Sequence, residues 1–313
     1  MNVLITGVNG FVGSNLKQYL LKNDYRVLEL SRTKSTNLPL SDSFTWNELS
    51  EIEAHSPDVF IHLAGKAHDL KNTSQAEEYF TVNTGLTKKL FDLFIQSKAK
   101  DFIYFSSVKA VADVVEGTLD ENAKAWPKTA YGQSKLQAEE YIMGSKLPEG
   151  KRLFILRPCM IHGPGNKGNF NLLYQLIKKR VPYPLGSFEN KRSYLSIQNL
   201  CFIIHQILLD PSVSGGIYNM ADDESLSTNE LIRLIGKEIK ISPSLWKINP
   251  AVVKALARFG DQLRLPFNSE RLQKLTENYV VSNSKIKSAL NVQSLPISSR
   301  EGFSITISSF SKK

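Results

Sequence analysis

The stretch Val3-Leu4-Ile5-Thr6-Gly7-Val8-Asn9-Gly10-Phe11-Val12-Gly13 decides the fold. A short apolar run meets three glycines, and Val12, Leu16, Tyr19 and Leu20 then recur at helical spacing. Strand, tight turn and helix follow one another. In such a unit Gly7 permits the turn, Gly10 lets backbone approach a pyrophosphate, and Gly13 allows close helix–strand packing. The helix start offers free N–H groups and a positive dipole end to the phosphates. Gly7, Gly10, Phe11, Val12 and Gly13 are therefore the expected dinucleotide loop.

Working outward, Val27–Leu30, Val59–Ala64, Phe102–Ser107 and Leu153–Leu156 are further apolar runs. They do not alternate with polar residues, which suits parallel strands covered on both faces. Helical patterns lie between them, such as Leu90, Phe91 and Phe94 in a helix ending near Lys98. The β-α-β-α order predicts an α/β fold: a Rossmann doubly wound parallel sheet with a smaller C-terminal substrate-binding lobe. The dinucleotide-binding domain is expected over residues 1–160, with 187–211 returning to it, and the lobe over 161–186 and 212–313. Within these, helices are expected at Asn199–Leu209 and near Thr228–Lys240, and a strand near Ile217–Met220.

Composition narrows the class. The 313 residues are 42% hydrophobic, enough for a core and too many for a disordered chain. No apolar run approaches the ~20 residues of a membrane span. The start lacks a basic segment followed by an apolar one, so no secretory leader is expected. Two cysteines, Cys159 and Cys201, exclude a disulfide framework and a cysteine-rich zinc site, and fit a reducing cytoplasm. No metal is expected. The net charge of +9 is scattered, which reads as solvated surface rather than a nucleic-acid footprint. One stretch, Leu245–Leu265, is both basic and amphipathic. It either lies weakly on a membrane surface or packs its apolar face within the lobe, and the second reading is preferred.

The candidate chemistry follows from three further segments. Tyr131-Gly132-Gln133-Ser134-Lys135 falls on an expected helix, where i, i+4 spacing puts phenol and ammonium on one face. A nearby cation favours phenolate, so Tyr131 is expected to exchange protons near neutral pH. Ser107 ends the fourth expected strand and faces the ligand crevice, positioned to hydrogen-bond a carbonyl. The second expected strand ends Leu30-Ser31-Arg32, roughly 20 residues after the glycines, where an acidic residue would grip the ribose of NAD. A hydroxyl beside a guanidinium instead suits a 2′-phosphate. The cofactor expected is NAD(P), leaning to NADP through Ser31 and Arg32.

With TGVNGFVG from Thr6, HLAG from His62, Asn83, Ser106-Ser107, YGQSK, LRP at Leu156–Pro158 and the HGPG loop from His162, the chain resembles an extended short-chain dehydrogenase/reductase of the NAD-dependent epimerase/dehydratase family. The resemblance implies a Ser107/Tyr131/Lys135 catalytic triad, with Tyr131 moving the proton of a sugar hydroxyl and Lys135 holding the nicotinamide ribose. It implies cofactor contacts at Leu63, Ala64, Gly65 and Asn83. It implies a UDP-linked sugar as substrate, with Arg192 on the diphosphate, and a possible homodimer through the Tyr131 helix and the helix before Lys98. Related 4,6-dehydratases carry Asp-Glu after the serine; here Val108 and Lys109 stand there, so elimination lacks its acid and base. Lys109 is either a substrate contact or a solvated lysine. Met160 stands where many epimerases have a substrate-binding asparagine, and Asn169 is the candidate replacement. His68 and His162 are weaker candidates, with a structural role preferred.

The implied activity is hydride transfer at C4 of a UDP-hexose or UDP-N-acetylhexosamine through a 4-keto sugar, as in UDP-glucose 4-epimerases of cell-surface polysaccharide biosynthesis. The alternative is an NADPH-dependent 4-reductase of a UDP-4-keto-6-deoxy sugar. More distant alternatives are a reductase of non-nucleotide carbonyls, a dinucleotide sensor without catalysis, and an enzyme of lipid-linked sugars.

Overall fold

The computed structural model describes residues 1–34, 39–67, 75–166, 169–263, 265 and 267–311. The strands are β1 (Asn2–Thr6), β2 (Arg26–Ser31), β3 (Ser43–Thr45), β4 (Val59–His62), β5 (Asp101–Phe105), β6 (Thr118–Leu119), β7 (Arg152–Pro158), β8 (Met160–His162), β9 (Tyr194–Ser196), β10 (Gly216–Met220) and β11 (Val280–Val281). The helices are α1 (Phe11–Lys22), α2 (Ala76–Tyr79), α3 (Leu86–Gln96), α4 (Ala130–Gly144), α5 (Asn169–Lys178), α6 (Ile197–Leu209), α7 (Thr228–Glu238), α8 (Pro250–Gln262), α9 (Ser269–Thr276), α10 (Ser284–Ala289) and α11 (Ser299–Ser311). A π-helical turn, Phe80–Gly85, joins α2 to α3.

Seven parallel strands form the main sheet in the order β10-β7-β5-β4-β1-β2-β3. The order reverses between β1 and β4, the switch point at which such sheets bind ligands. Alternate residues of each strand feed two cores. Val3, Ile5, Ile61 and Ile103 pack with Leu16, Leu20, Leu200 and Ile204 on one face. Leu4, Leu28, Phe60 and Phe102 pack with Leu90, Phe94, Ala138 and Ile142 on the other. Helices thus cover both faces, and the expected doubly wound architecture is present. A third core, with Tyr174, Leu185, Ile232, Ile235, Ala257 and Phe303, builds the lobe.

Two boundaries differ from the expectation. β10 pairs with β7 in the main sheet, Gly216 opposite Phe154, so the segment after residue 212 is not all lobe. Its site on the sheet is set by long-range pairing, which local sequence does not encode. β4 stops at His62 rather than Ala64, because the N–H groups of Leu63 and Ala64 turn to the Thr6 hydroxyl. Among the described residues no helix is long and apolar enough to cross a membrane.

His62 explains the rigidity of the switch point. Thr87 Oγ1 donates to the Asn83 carbonyl, so it accepts from His62 Nε2 at 3.0 Å. Thr6 Oγ1 accepts from Leu63 and Ala64, so its own proton goes to His62 Nδ1 at 2.7 Å. The ring is therefore neutral, protonated on Nε2 alone. Burial pushes its pKa from 6.5 down to about 3, and the Lys135 charge acts the same way. Between those two values the unfolded chain binds more protons than the folded one, so this group makes stability rise with pH. We expect stability to fall on acidification from pH 6.5 toward 3, by up to about 1.4 kcal/mol per pH unit from this residue. Urea denaturation across that range should show a shallower pH slope for His62→Gln than for wild type.

Candidate active site

The glycine loop leads from β1 into α1. Gly7 is left-handed at φ 72°, and a Cβ there would lie 2.8 Å from the Ala64 nitrogen. A Cβ on Gly13 would lie 2.2 Å from the Gly7 carbonyl oxygen, so only glycine lets α1 start this close to β1. Gly10 caps α1 without a side chain, which leaves the first N–H groups at Phe11, Val12 and Gly13 open to an anion. This cradle, at the switch point, fits the pyrophosphate of a dinucleotide.

Ser31 ends β2, is nearly buried, and turns its hydroxyl to the Thr33 carbonyl. Arg32 is exposed and forms no ion pair with a described residue. The acidic residue of β2 is Glu29, which lies beneath this edge and is neutralised by Lys17. No carboxylate of β2 therefore stands at its end; on the neighbouring side Glu48 bonds Thr45, the partner of Ser31, and pairs with Lys34.

Ser107, Tyr131 and Lys135 come together beyond the end of β5. The strand stops at Phe105, and Ser107 caps a single 3-10 turn, Val108–Ala110, by accepting the Lys109 N–H at 3.2 Å. Thr129 caps α4 through the Gly132 N–H. A Cβ on Gly132 would stand 2.4 Å from the Lys109 carbonyl oxygen, so this glycine lets α4 begin against that turn and brings Tyr131 to Ser107. Lys135 is buried and donates to the Phe105 carbonyl at 2.7 Å, with the Tyr104 ring 4.9 Å below.

The electrostatics differ from the expectation of an easily formed phenolate. Burial raises the Tyr131 phenol above its usual value of 10, and the facing Ser107 hydroxyl opposes this only in part. The ammonium of Lys135 is spent on a backbone carbonyl rather than on the phenol. Burial pushes Lys135 down to about 8, while the Glu139 carboxylate pulls it back up. In this arrangement Tyr131 holds its proton at neutral pH.

Asn83 sits in the π-helical turn, a deviation common at functional sites. It bonds the Lys66 backbone at both ends of its amide, 2.7 and 3.0 Å, and donates to the Ser134 hydroxyl at 2.9 Å. A Cβ on Gly65 would meet Asn83 at 3.0 Å and Lys135 Nζ at 3.2 Å, so Gly65 opens the space above them. Leu63 and Ala64 line the approach, half-buried.

Sequence reasoning missed the pair beneath the triad. Glu139, one turn after Lys135, is buried and accepts from Arg157 Nε at 3.0 and 3.2 Å and from Arg157 Nη2 at 2.5 Å. Ser106 adds a third donor. The LRP motif carried the arginine, but nothing local pairs it with a glutamate on α4.

The other candidates lie further out. Lys109 donates to the Asp113 carbonyl at 2.8 Å and lies over the Tyr279 ring at 4.2 Å, so it is held rather than freely solvated. Arg192 donates to the Lys274 carbonyl at 2.9 Å and stands 3.7 Å from Glu277. It reaches the lobe wall, with its backbone bridged to Leu226 and Tyr279. Met160 is exposed on β8. Asn169 opens α5, and its side chain lies outside the described part, as does His68. His162 is fully buried, stacked on Phe303 at 3.7 Å and bonded to Thr306 at 3.0 Å, a structural position. Cys159 and Cys201 are buried free thiols. Among the described residues no cluster of His, Cys, Asp and Glu could hold a metal ion.

Comparison with known proteins gives a consistent picture. Residues 3–221 match the NAD dependent epimerase/dehydratase family. A UDP-glucose 4-epimerase of Vibrio cholerae is 32% identical over 99% of this chain and 95% of its own length. A GDP-6-deoxy-D-mannose reductase of Pseudomonas aeruginosa is 26% identical over 74% of this chain and 78% of its own. The UDP-glucose 4-epimerase of Thermotoga maritima, solved with UDP-glucose, superposes with a TM-score of 0.75 at 19% identity, covering 100% of this chain and 99% of that one. At that identity the likeness concerns the fold.

Glu139→Gln should leave the Arg157 guanidinium buried and unpaired. We expect a loss of about 3–5 kcal/mol in urea denaturation. Without the carboxylate, Lys135 should also titrate below its value of about 8, read by NMR of the labelled ammonium.

Proposed function

The chain belongs to the NAD-dependent epimerase/dehydratase family, and from that premise we propose that it transfers hydride at C4 of a UDP-hexose or UDP-N-acetylhexosamine through a 4-keto sugar, as a 4-epimerase. The observation that carries this reading is the cluster of Ser107, Tyr131 and Lys135 at the C-terminal edge of the sheet, beside the glycine cradle. The absence of an acid and base at Val108 and Lys109 supports hydride transfer over water elimination. The V. cholerae relative supports the UDP-hexose.

A nicotinamide dinucleotide bound in the cradle would supply the hydride acceptor and donor. The phosphates would rest on the N–H groups of Phe11, Val12 and Gly13. Lys135 and Asn83 would hold the ribose side, in the space opened by Gly65. The Ser107 hydroxyl would donate to the C4 oxygen and fix it against Tyr131. For the oxidation Tyr131 would first release its own proton to solvent; as phenolate it would take the proton of the C4 hydroxyl as the ketone forms and return it as the alcohol reforms. Lys109 and Arg192 stand on the side where a diphosphate would enter, and Arg192 would have to release Lys274 and Glu277 to grip it bidentately. Asn169 is the remaining candidate for a substrate contact.

A second reading is the NADPH-dependent 4-reductase of a UDP-4-keto-6-deoxy sugar. Two observations favour it: an exposed Arg32 beside Ser31 with no ion pair among the described residues, suited to a 2′-phosphate, and a Tyr131 phenol that holds its proton, suited to donating it to a ketone. The reductase relative from P. aeruginosa belongs to the same reaction class.

The deciding experiment identifies the dinucleotide extracted from purified protein. It then follows reduced-nicotinamide absorbance and product NMR with UDP-glucose, UDP-N-acetylglucosamine and a 4-keto sugar. Inversion at C4 without net absorbance change establishes the epimerase; NADPH consumed only with the 4-keto sugar establishes the reductase. In either case Tyr131→Phe should lower kcat by about 10²–10⁴ with KM little changed; full turnover in that variant would remove Tyr131 from the proton transfer. Arg32→Ala should weaken NADPH binding by roughly ten- to a hundredfold and leave NADH binding unchanged, measured by fluorescence titration.

A further inference from the structure

The amphipathic stretch of the lobe does not bury its apolar face. On α8 only Val253, Ala257 and Gly260 face the lobe. An adjacent stripe at i, i+4, i+7 and i+11, namely Val252, Leu256, Phe259 and Leu263, stands 50–56% exposed. Trp246, Leu265, Phe267 and Leu275 are also exposed around it. A Cβ on Gly260 would overlap the Phe267 carbonyl oxygen, so Phe267 lies tightly against α8, next to α9. Exposed apolar residues gathered in this way mark an interaction surface.

Charge identifies the occupant. Lys254 and Arg258 form the third face of α8, and Lys247 and Arg271 are exposed nearby. The carboxylates of this region are already engaged: Asp261 caps Ser269, and Glu270 pairs with Lys274. A second copy would bring only these already engaged carboxylates to meet the cations. An apolar stripe on a helix whose polar side carries Lys and Arg matches an anionic bilayer surface, where the rings and leucines enter the headgroup boundary and the cations of the polar side attract anionic lipid.

We propose that α8, Leu265, Phe267 and α9 form a docking surface for an anionic lipid bilayer. Arg192 binds the Lys274 carbonyl at the end of α9, so docking holds the rim of the substrate cleft at the membrane. The proposal stands apart from the choice between epimerase and reductase.

The test is co-sedimentation of the full chain with vesicles of phosphatidylethanolamine and phosphatidylglycerol, against vesicles of phosphatidylcholine alone. Wild type should pellet with the anionic vesicles and be released by high salt. The double variant Leu256→Glu/Phe259→Glu should partition at least about tenfold less, and Lys254→Glu/Arg258→Glu should lose the preference for the anionic lipid. Both variants change exposed side chains, so their melting temperatures should match wild type. Equal sedimentation with neutral vesicles, no sedimentation, or variants that bind as wild type would overturn the proposal. So would a wild-type dimer in light scattering that Leu256→Glu/Phe259→Glu converts to monomer, which would assign the face to a second copy.

Discussion

The Thr6 hydroxyl takes N–H groups from both Leu63 and Ala64 and gives its own proton to His62. Three strand-end groups are thereby satisfied by one side chain, and β1 and β4 are locked where the sheet order reverses. The glycine turn starts from that lock. Gly7 can be left-handed against the Ala64 backbone because Ala64 is fixed, and α1 can press on Gly7 because Gly13 has no side chain. The same chain of bonds runs on through Thr87 to the Asn83 carbonyl. The phosphate cradle and the π-helical turn are thus two ends of one buried polar network, satisfied throughout, as burial of polar groups requires.

A second network supports the reacting groups. Lys135 enters a buried position whose natural tendency is to strip its charge, and only the Glu139 carboxylate opposes that. Glu139 in turn is shared with Arg157 and Ser106. The ammonium therefore depends on a carboxylate that also anchors β7 to α4. Removing water strengthens these interactions and makes each unpaired partner costly.

Local spacing made much of this readable. The glycines, the apolar strand runs and the Tyr–Lys pair at i, i+4 are all signals contained within a few residues, and the family resemblance rests on them. What stayed hidden was non-local. β10 joins β7 across the intervening loop and α6, and Glu139 meets Arg157 from a different element. Side-chain spacing does not reveal where an ammonium points: Lys135 turns to Phe105, and burial raises the Tyr131 phenol. In Leu245–Leu265 the periodicity revealed an apolar stripe but not which of two neighbouring stripes the lobe covers.

The lobe closes on residues that are far apart in the chain. His162 stacks on Phe303 and bonds Thr306, 144 positions later. The strands β1 to β5 and β7, by contrast, pair with one another within residues 2–158, and only the outer edge of β7 waits for β10. During synthesis the dinucleotide half can therefore collapse while most of the lobe is still unmade, and the floor around His162 must wait for α11. Until then the apolar surfaces of β8 and β9 lie open, and a nascent chain stalled before α11 would present them to chaperones.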